Sequence, residues 1–303
     1  MTAPRLSVVL CNYNHESVLA RALTALLAQT YPAHEIIVVD DGSTDESVGV
    51  VEGLMKRHPN LRLLRNKSNR GVVYSGNLGL AAVTGDYVGW YAADDLAFPR
   101  LFERIAEAAR AHPQAGVIAA EPVIEPIGDR AAARAYRYDL GAGVAAFDGS
   151  AFVRRQRDRY LWLCSAALML RVDALRAHGG WSAEMDWLAD WVAVYALAIR
   201  HGAVCIEEPL AMLQEDARSF GRLAAAEPGR RDRAIGLLLD WLRDRENRDL
   251  RRAFRDAPLM LRYALGERLF PILARRPADA DLLAAATWAW ARHRLSFALA
   301  ARS

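Results

Sequence analysis

The chain has 303 residues, 53% hydrophobic and 25% charged, so it can bury an ordinary globular core and holds one large domain or two smaller ones. A net charge of +3 is too small to argue for a nucleic-acid partner. Cys11, Cys164 and Cys205 are odd in number and widely spaced; they form no metal-ligand cluster and fit a reducing, cytoplasmic compartment. The stretch after Met1 carries no signal-peptide pattern, and no apolar run approaches the roughly 18 residues of a membrane span.

Leu6–Leu10 predicts a first strand, followed by a polar loop from Cys11 to Glu16. Val18, Leu19, Ala22, Leu23, Leu26 and Leu27 recur at helical spacing, and Pro32 blocks continuation. From Glu35 to Asp41 four consecutive β-branched residues, Ile36 to Val39, predict a strand buried on both faces. Asp40 and Asp41 stand at its end. Gly42 permits a tight turn there, and Ser43 or Thr44 can cap the next helix, from about Glu46 to Arg57. A third strand at Leu61–Leu64 leads to the loop Asn69-Arg70-Gly71, and Asn77–Ala82 is helical. The fourth strand, Tyr87–Tyr91, also ends in carboxylates, Asp94 and Asp95. This alternation is the pattern of βαβ units with a parallel sheet. A helix at Phe102–Ala111 and a strand at Gly116–Ala120 follow. Glu121 to Arg159 reads as an irregular excursion over the site, and buried structure resumes at Leu161–Leu170. Gly179-Gly180-Trp181 is a turn, Asp190–Arg200 a helix, and Val204–Ile206 a short strand ending at Pro209. From Pro228 arginine becomes dense among leucine, alanine and tryptophan, the pattern of a helical extension.

The two acidic pairs are the main constellation, because ligands of open α/β sheets bind outside the carboxyl ends of the strands. Aspartates can hold a divalent cation that offsets the charge of a diphosphate. A carboxylate can also accept from a nucleobase N–H or a ribose hydroxyl. One pair could read a nucleoside and the other a metal. The plainer alternative is helix capping and solvated turns, which is the reading for Asp45.

Ser7 to Asn14, Gln29-Thr30-Tyr31-Pro32, Glu35 to Asp45, Asn69-Arg70-Gly71, Thr84-Gly85-Asp86-Tyr87 and Ala93-Asp94-Asp95 occur in that order with suitable spacing. Together they resemble a family 2 glycosyltransferase. The resemblance implies an α/β fold of the GT-A type: a mostly parallel, Rossmann-like sheet flanked by helices, with a C-terminal helical extension. The corresponding division is residues 1–227 as the glycosyltransferase domain, with a nucleotide-binding half at 1–120 and an acceptor half at 121–227, and 228–303 as the extension. It implies inverting transfer from a nucleotide-sugar, most often a UDP-sugar, to an acceptor hydroxyl in cell-surface glycan or polysaccharide biosynthesis. By the same resemblance Tyr13 would stack on the base, Asp41 would accept from it, and Asp40 would support that pocket. Cys11 would lie in the nucleotide-sugar site, although by its own chemistry it reads as a small buried hydrophobe. Arg70 would reach the base or phosphates, and Asp94 and Asp95 would bind ribose and the metal-diphosphate, with Mn2+ or Mg2+ as cofactor. The family's acidic motif often begins with a further Asp; here that position is Ala92.

Inversion by single displacement needs a general base on the acceptor side. The family places it at the start of a helix after a Gly-Gly-aromatic turn, which points to Asp190, with Asp186 and Glu184 as runners-up and Ala189 where an acid is usual. A helix N-terminus would hold Asp190 ionised. Trp187 and Trp191 flank it as a sugar platform or as ordinary packing. Arg218 and Arg222 could close on a diphosphate, or form a solvated charge run. The extension either packs on the catalytic domain with arginine facing water or touches an anionic membrane peripherally, at the inner face, where a lipid-linked acceptor would sit. A nucleotide-sugar-binding protein without transfer activity is the competing reading. A Rossmann oxidoreductase is disfavoured, since no Gly-x-Gly-x-x-Gly follows the first strand.

Overall fold

The computed structural model describes residues 3–141, 143–215, 223–224 and 226–300. Its first half is a repeated strand–helix alternation: β1 (Leu6–Asn12), α1 (Glu16–Leu27), β2 (Glu35–Asp40), α2 (Ser47–Met55), β3 (Leu61–Arg65), α3 (Val72–Ala82) and β4 (Tyr87–Ala92). β5 (Leu96–Ala97), α4 (Leu101–Ala111) and β6 (Val117–Pro126) follow. The strands lie in the order β3-β2-β1-β4, all parallel. Ile36 to Val39 are fully buried because helices cover both faces of β2.

The second half departs from the expected pattern. β9 (Leu168–Arg171) inserts antiparallel between β4 and β6, so β6 still runs parallel to β4. The stretch from Glu121 to Arg159 is not irregular throughout: β6 continues to Pro126, and the short strands β7 (Arg134–Ala135) and β8 (Val144–Phe147) precede a helix, α5 (Gly149–Asp158). That helix escapes periodicity because it buries only Phe152 and Gln156, while Asp148 caps it by accepting from the Ala151 N–H at 2.7 Å. α6 (Val172–His178) and α7 (Ala189–His201) lead to β10 (Ala203–Glu215). The strand expected to stop at Pro209 continues past it to Glu215, 13 residues in all, its register beside β6 shifting on each side of that proline, which has no N–H to donate.

The extension begins with the helix Pro228–Trp241 and ends with Ala280–Ala300. Its apolar residues Ile235, Leu238, Leu250 and Phe254 join the same buried cluster as Trp181, Val192 and Tyr195. Its arginines do not simply face water. Arg243, Arg251 and Arg276 converge on Asp279, which is fully buried, at 2.7, 3.0 and 2.8 Å. No helix among the described residues is long and apolar enough to cross a membrane.

Candidate active site

The register sets the frame. Asn12 pairs with Asp40, and Cys11 with both Val39 and Ala92, so β2 and β4 end at one level with β1 between them. Two strand spacings, roughly 10 Å, separate the points where the two acidic pairs leave the sheet.

On the β2 side the acids are anchored to protein. Asp40, 1% exposed, accepts from Asn12 Nδ2 and from the Ser43 N–H, each at 3.1 Å. Asp41 accepts from Asn66 Nδ2 at 2.7 Å, from the Arg70 N–H at 2.9 Å and from the Gly71 N–H at 2.8 Å. Its carboxylate therefore clamps the loop after β3. Gly42 makes this possible: its φ is +79°, and a Cβ there would stand 2.8 Å from Ser68 backbone atoms. Ser43 does not cap α2. Its hydroxyl instead accepts from Asn12 Nδ2 and the Asn14 N–H. Asp45 accepts from the N–H of Glu16 and of Ser47, while Glu16 accepts from the Glu46 N–H, so the two loops cap one another.

Tyr13, at the end of β1, is 42% exposed and presents its ring at this edge. The Arg70 guanidinium lies 4.0 Å over the Tyr74 ring. The Cys11 thiol accepts from the Trp90 indole N–H at 3.2 Å, and burial, with Asp41 adding its charge, pushes the thiol up to about 12.

On the β4 side Asp95 is buried and Asp94 half-buried. Burial, with the Asp94 charge beside it, holds the Asp95 carboxyl well above its ordinary value, opposed by the N–H groups of Gln214 and Ala92. Two adjacent hard oxygen donors, one of them desolvated, suit a magnesium- or manganese-type ion that takes its remaining ligands from phosphates. No group of three or more metal-ligating side chains occurs among the described residues.

Asp190 stands in the first turn of α7, its carboxylate accepting from the Trp191 N–H at 2.7 Å. Burial outweighs those N–H groups and raises the carboxyl above its ordinary value. Asp95 and Asp190 both act electrostatically on the buried Cys164 thiol, which lies just before β9. Of the runners-up, Asp186 is engaged by Arg230 of the extension in a two-pronged ion pair, and Glu184 is exposed. Trp191 packs against Tyr195 and Phe254. Arg218 and Arg222 lie outside the described residues.

Sequence reasoning missed Asn77. Its amide accepts from the Trp181 N–H at 3.0 Å and donates to the Trp181 carbonyl at 2.6 Å, fixing the Gly-Gly-Trp turn ahead of Asp190. Trp181 packs on Trp90 at 4.4 Å between ring centroids. Asn77 and Trp181 are 104 residues apart, so no local signal could reveal the pair.

A mixed sheet whose first four strands run parallel, with acidic pairs at the carboxyl ends of β2 and β4 and helices on its faces, defines an α/β protein of the GT-A fold. The model of glycosyl transferase family 2 matches residues 7–174, more than half of the chain, and the chain belongs to that family. An uncharacterised glycosyltransferase of Haemophilus influenzae is 37% identical over 102 residues, covering 34% of this chain and 32% of that protein. The chain thus aligns with about a third of the length of the first curated relatives it matches. A mannosyltransferase from Pyrobaculum calidifontis, in complex with GDP-Man and Mn2+, superposes with a TM-score of 0.61 at 19% identity, over 99% of this chain and 81% of that one. S. aureus TarS 1-349 in complex with UDP-GlcNAc gives 0.60 at 16%, over 96% and 92%. At these identities the two structures speak for the fold alone.

Proposed function

We propose that this glycosyltransferase inverts: it moves a sugar from a nucleotide-sugar, a UDP-sugar by preference, to an acceptor hydroxyl of a cell-surface glycan or polysaccharide precursor. The observation that carries the reading is the match of the family model to residues 7–174, with acidic pairs at the carboxyl ends of β2 and β4 and Asp190 in the first turn of α7. In this reading Asp190 takes the proton from the acceptor hydroxyl as that oxygen attacks the sugar's anomeric carbon. The bond to the diphosphate breaks, and its electron pair leaves with the nucleotide. A raised pKa suits a general base better than an ordinary carboxylate, because it lies nearer the working pH. Asp94 and Asp95 would hold Mn2+ or Mg2+, which when bound supplies positive charge to the departing diphosphate. Cys11, Tyr13 and Asp40 would line the nucleoside pocket. Asp41 would act there by holding the loop that carries Arg70, as well as by any remaining lone pair. Residues 1–227 would form the catalytic unit, and 228–303 an extension that could also meet a lipid-linked acceptor at the inner face of the membrane.

Thermal shifts with UDP-, GDP-, CMP- and dTDP-sugars, with and without manganese, test the donor. A UDP-sugar with manganese should raise Tm most. Asp190→Asn should keep that shift and lose turnover, which also excludes a binding protein without transfer activity. Turnover by Asp190→Asn at the wild-type rate, or no shift with any of the four donors, would overturn the reading.

A further inference from the structure

The segment that leads into α7 takes a positive φ three times, at Gly179 (+96°), Gly180 (+77°) and Asp186 (+51°). Glycine fills the first two, as a left-handed backbone asks. Asp186 breaks that rule. Its φ of +51° and ψ of −123° match the first central position of a type II′ turn, which residues with a side chain rarely adopt. Such a conformation persists only where its surroundings hold it.

What holds Asp186 comes from the C-terminal extension. Arg230, in the first turn of the helix Pro228–Trp241, donates from Nε to Asp186 Oδ2 at 2.5 Å and from Nη2 to Asp186 Oδ1 at 2.6 Å. An ion pair lying open on a surface contributes little. This one is two-pronged, and the Arg230 and Asp186 side chains are only 32% and 23% exposed, which is the geometry of the stronger kind. Met185 and Leu188, on either side of the turn, are buried. The Asp186 carbonyl accepts from the Ala189 N–H, and Asp190 follows at once in the first turn of α7. At the other end of the segment, Asn77 ties the Gly-Gly-Trp turn to α3. The chain before Asp190 is thus fastened at its start to α3 and at its end to the extension.

We infer that Arg230 is a positioning residue for the transfer reaction: from the extension it holds Asp186 in its left-handed turn, and so sets the place of Asp190 at the start of α7. Glycine would take the Asp186 backbone without strain, whereas aspartate takes it with strain and supplies the carboxylate that Arg230 grips. Placement matters at this point, because a shift of about 1 Å in a reacting group can lower a rate about 10²-fold. The inference rests on the proposed function in one respect, that Asp190 takes the acceptor proton. It adds that the extension takes part in the catalytic geometry.

The test uses the full chain. Hydrogen exchange followed by mass spectrometry, without ligand, reads residues 183–190 and 228–241 separately. Arg230→Gln should speed exchange over 183–190 about tenfold and leave 228–241 unchanged. Arg230→Lys keeps the charge but not the fork and should fall between. Asp186→Gly added to Arg230→Gln should restore protection, because glycine takes the turn unaided. Turnover is read as UDP released from UDP-glucose and UDP-N-acetylglucosamine with manganese. There Arg230→Gln should lower kcat about tenfold at an unchanged donor KM, a split that a general loss of stability does not produce. Exchange over 183–190 at the wild-type rate in Arg230→Gln would overturn the inference. So would equal acceleration over 228–241, no rescue by the glycine, or a wild-type kcat in a chain whose loop exchanges faster. If neither donor turns over, or Asp190→Asn is as fast as wild type, the proposed function fails on its own, while exchange still decides whether Arg230 holds the loop.

Discussion

Replacing Asp41 by asparagine removes a charge without changing the shape of the side chain. The structure fixes what that charge does in the unliganded protein: it accepts from Asn66 Nδ2, the Arg70 N–H and the Gly71 N–H. Hydrogen bonds to a charged acceptor contribute about 1.5–3 kcal/mol, and neutral ones about 0.5–1.5. An asparagine oxygen at the Oδ1 position keeps the first two bonds, each weaker by about 1 kcal/mol, and turns an amide N–H toward the Gly71 donor. Water reaches this partly exposed loop and offsets some of the third loss, leaving a net cost of about 2–3 kcal/mol. For a chain of this length that lowers Tm by about 3–5 °C in the absence of any nucleotide. Differential scanning calorimetry of the ligand-free proteins measures it. A variant melting within about 1 °C of wild type would refute the clamp and leave Asp41 a purely ligand-facing residue.

Asp95→Asn should do the reverse. A carboxyl whose folded pKa is raised costs stability as pH rises from its unfolded value through the folded one, so above that window the charge destabilises the fold. The variant should melt above wild type at pH 7 in EDTA and should lose any stabilisation by manganese; an unchanged or lower Tm contradicts this. For Asp190 the base form is the active one, so kcat/KM should fall as pH falls through a pKa above 3.8, and a profile flat down to that value argues against its role. Asp279→Ala leaves three guanidiniums around a site that is fully buried, at a cost of about 3–5 kcal/mol. The Asp279 pKa is lowered, so the cluster stabilises above the ordinary carboxylate range and lets go as pH falls through the lowered value. Urea denaturation and limited proteolysis of residues 228–303 read the loss, and a variant as resistant as wild type would show the cluster to be dispensable.

Ile36–Val39 and Leu6–Leu10 could be read as parallel strands because a strand buried on both faces must be apolar at every position, whatever lies around it. Asp40-Asp41 and Asp94-Asp95 could be placed at one edge for the same reason, since parallel strands deliver their ends together. α5 could not be read, because seven of its ten residues are polar or glycine and its anchor is a single cap. The work of Asp41 was hidden too: its partners lie 25 to 30 residues on, in a loop whose path only the packed sheet defines.

Local order of residues was enough to establish a βαβ succession, acids at the strand ends and an acid in the first turn of a later helix, because each depends on near neighbours and side-chain period. Only the folded chain decided that β9 enters antiparallel, that Asn77 holds the Gly-Gly-Trp turn, and that Leu259 and Ala264 of the extension close a cavity with Tyr160 and Trp191. Those contacts join segments far apart in sequence, and their energy comes from burial and hydrogen bonds that exist only once the layers have packed.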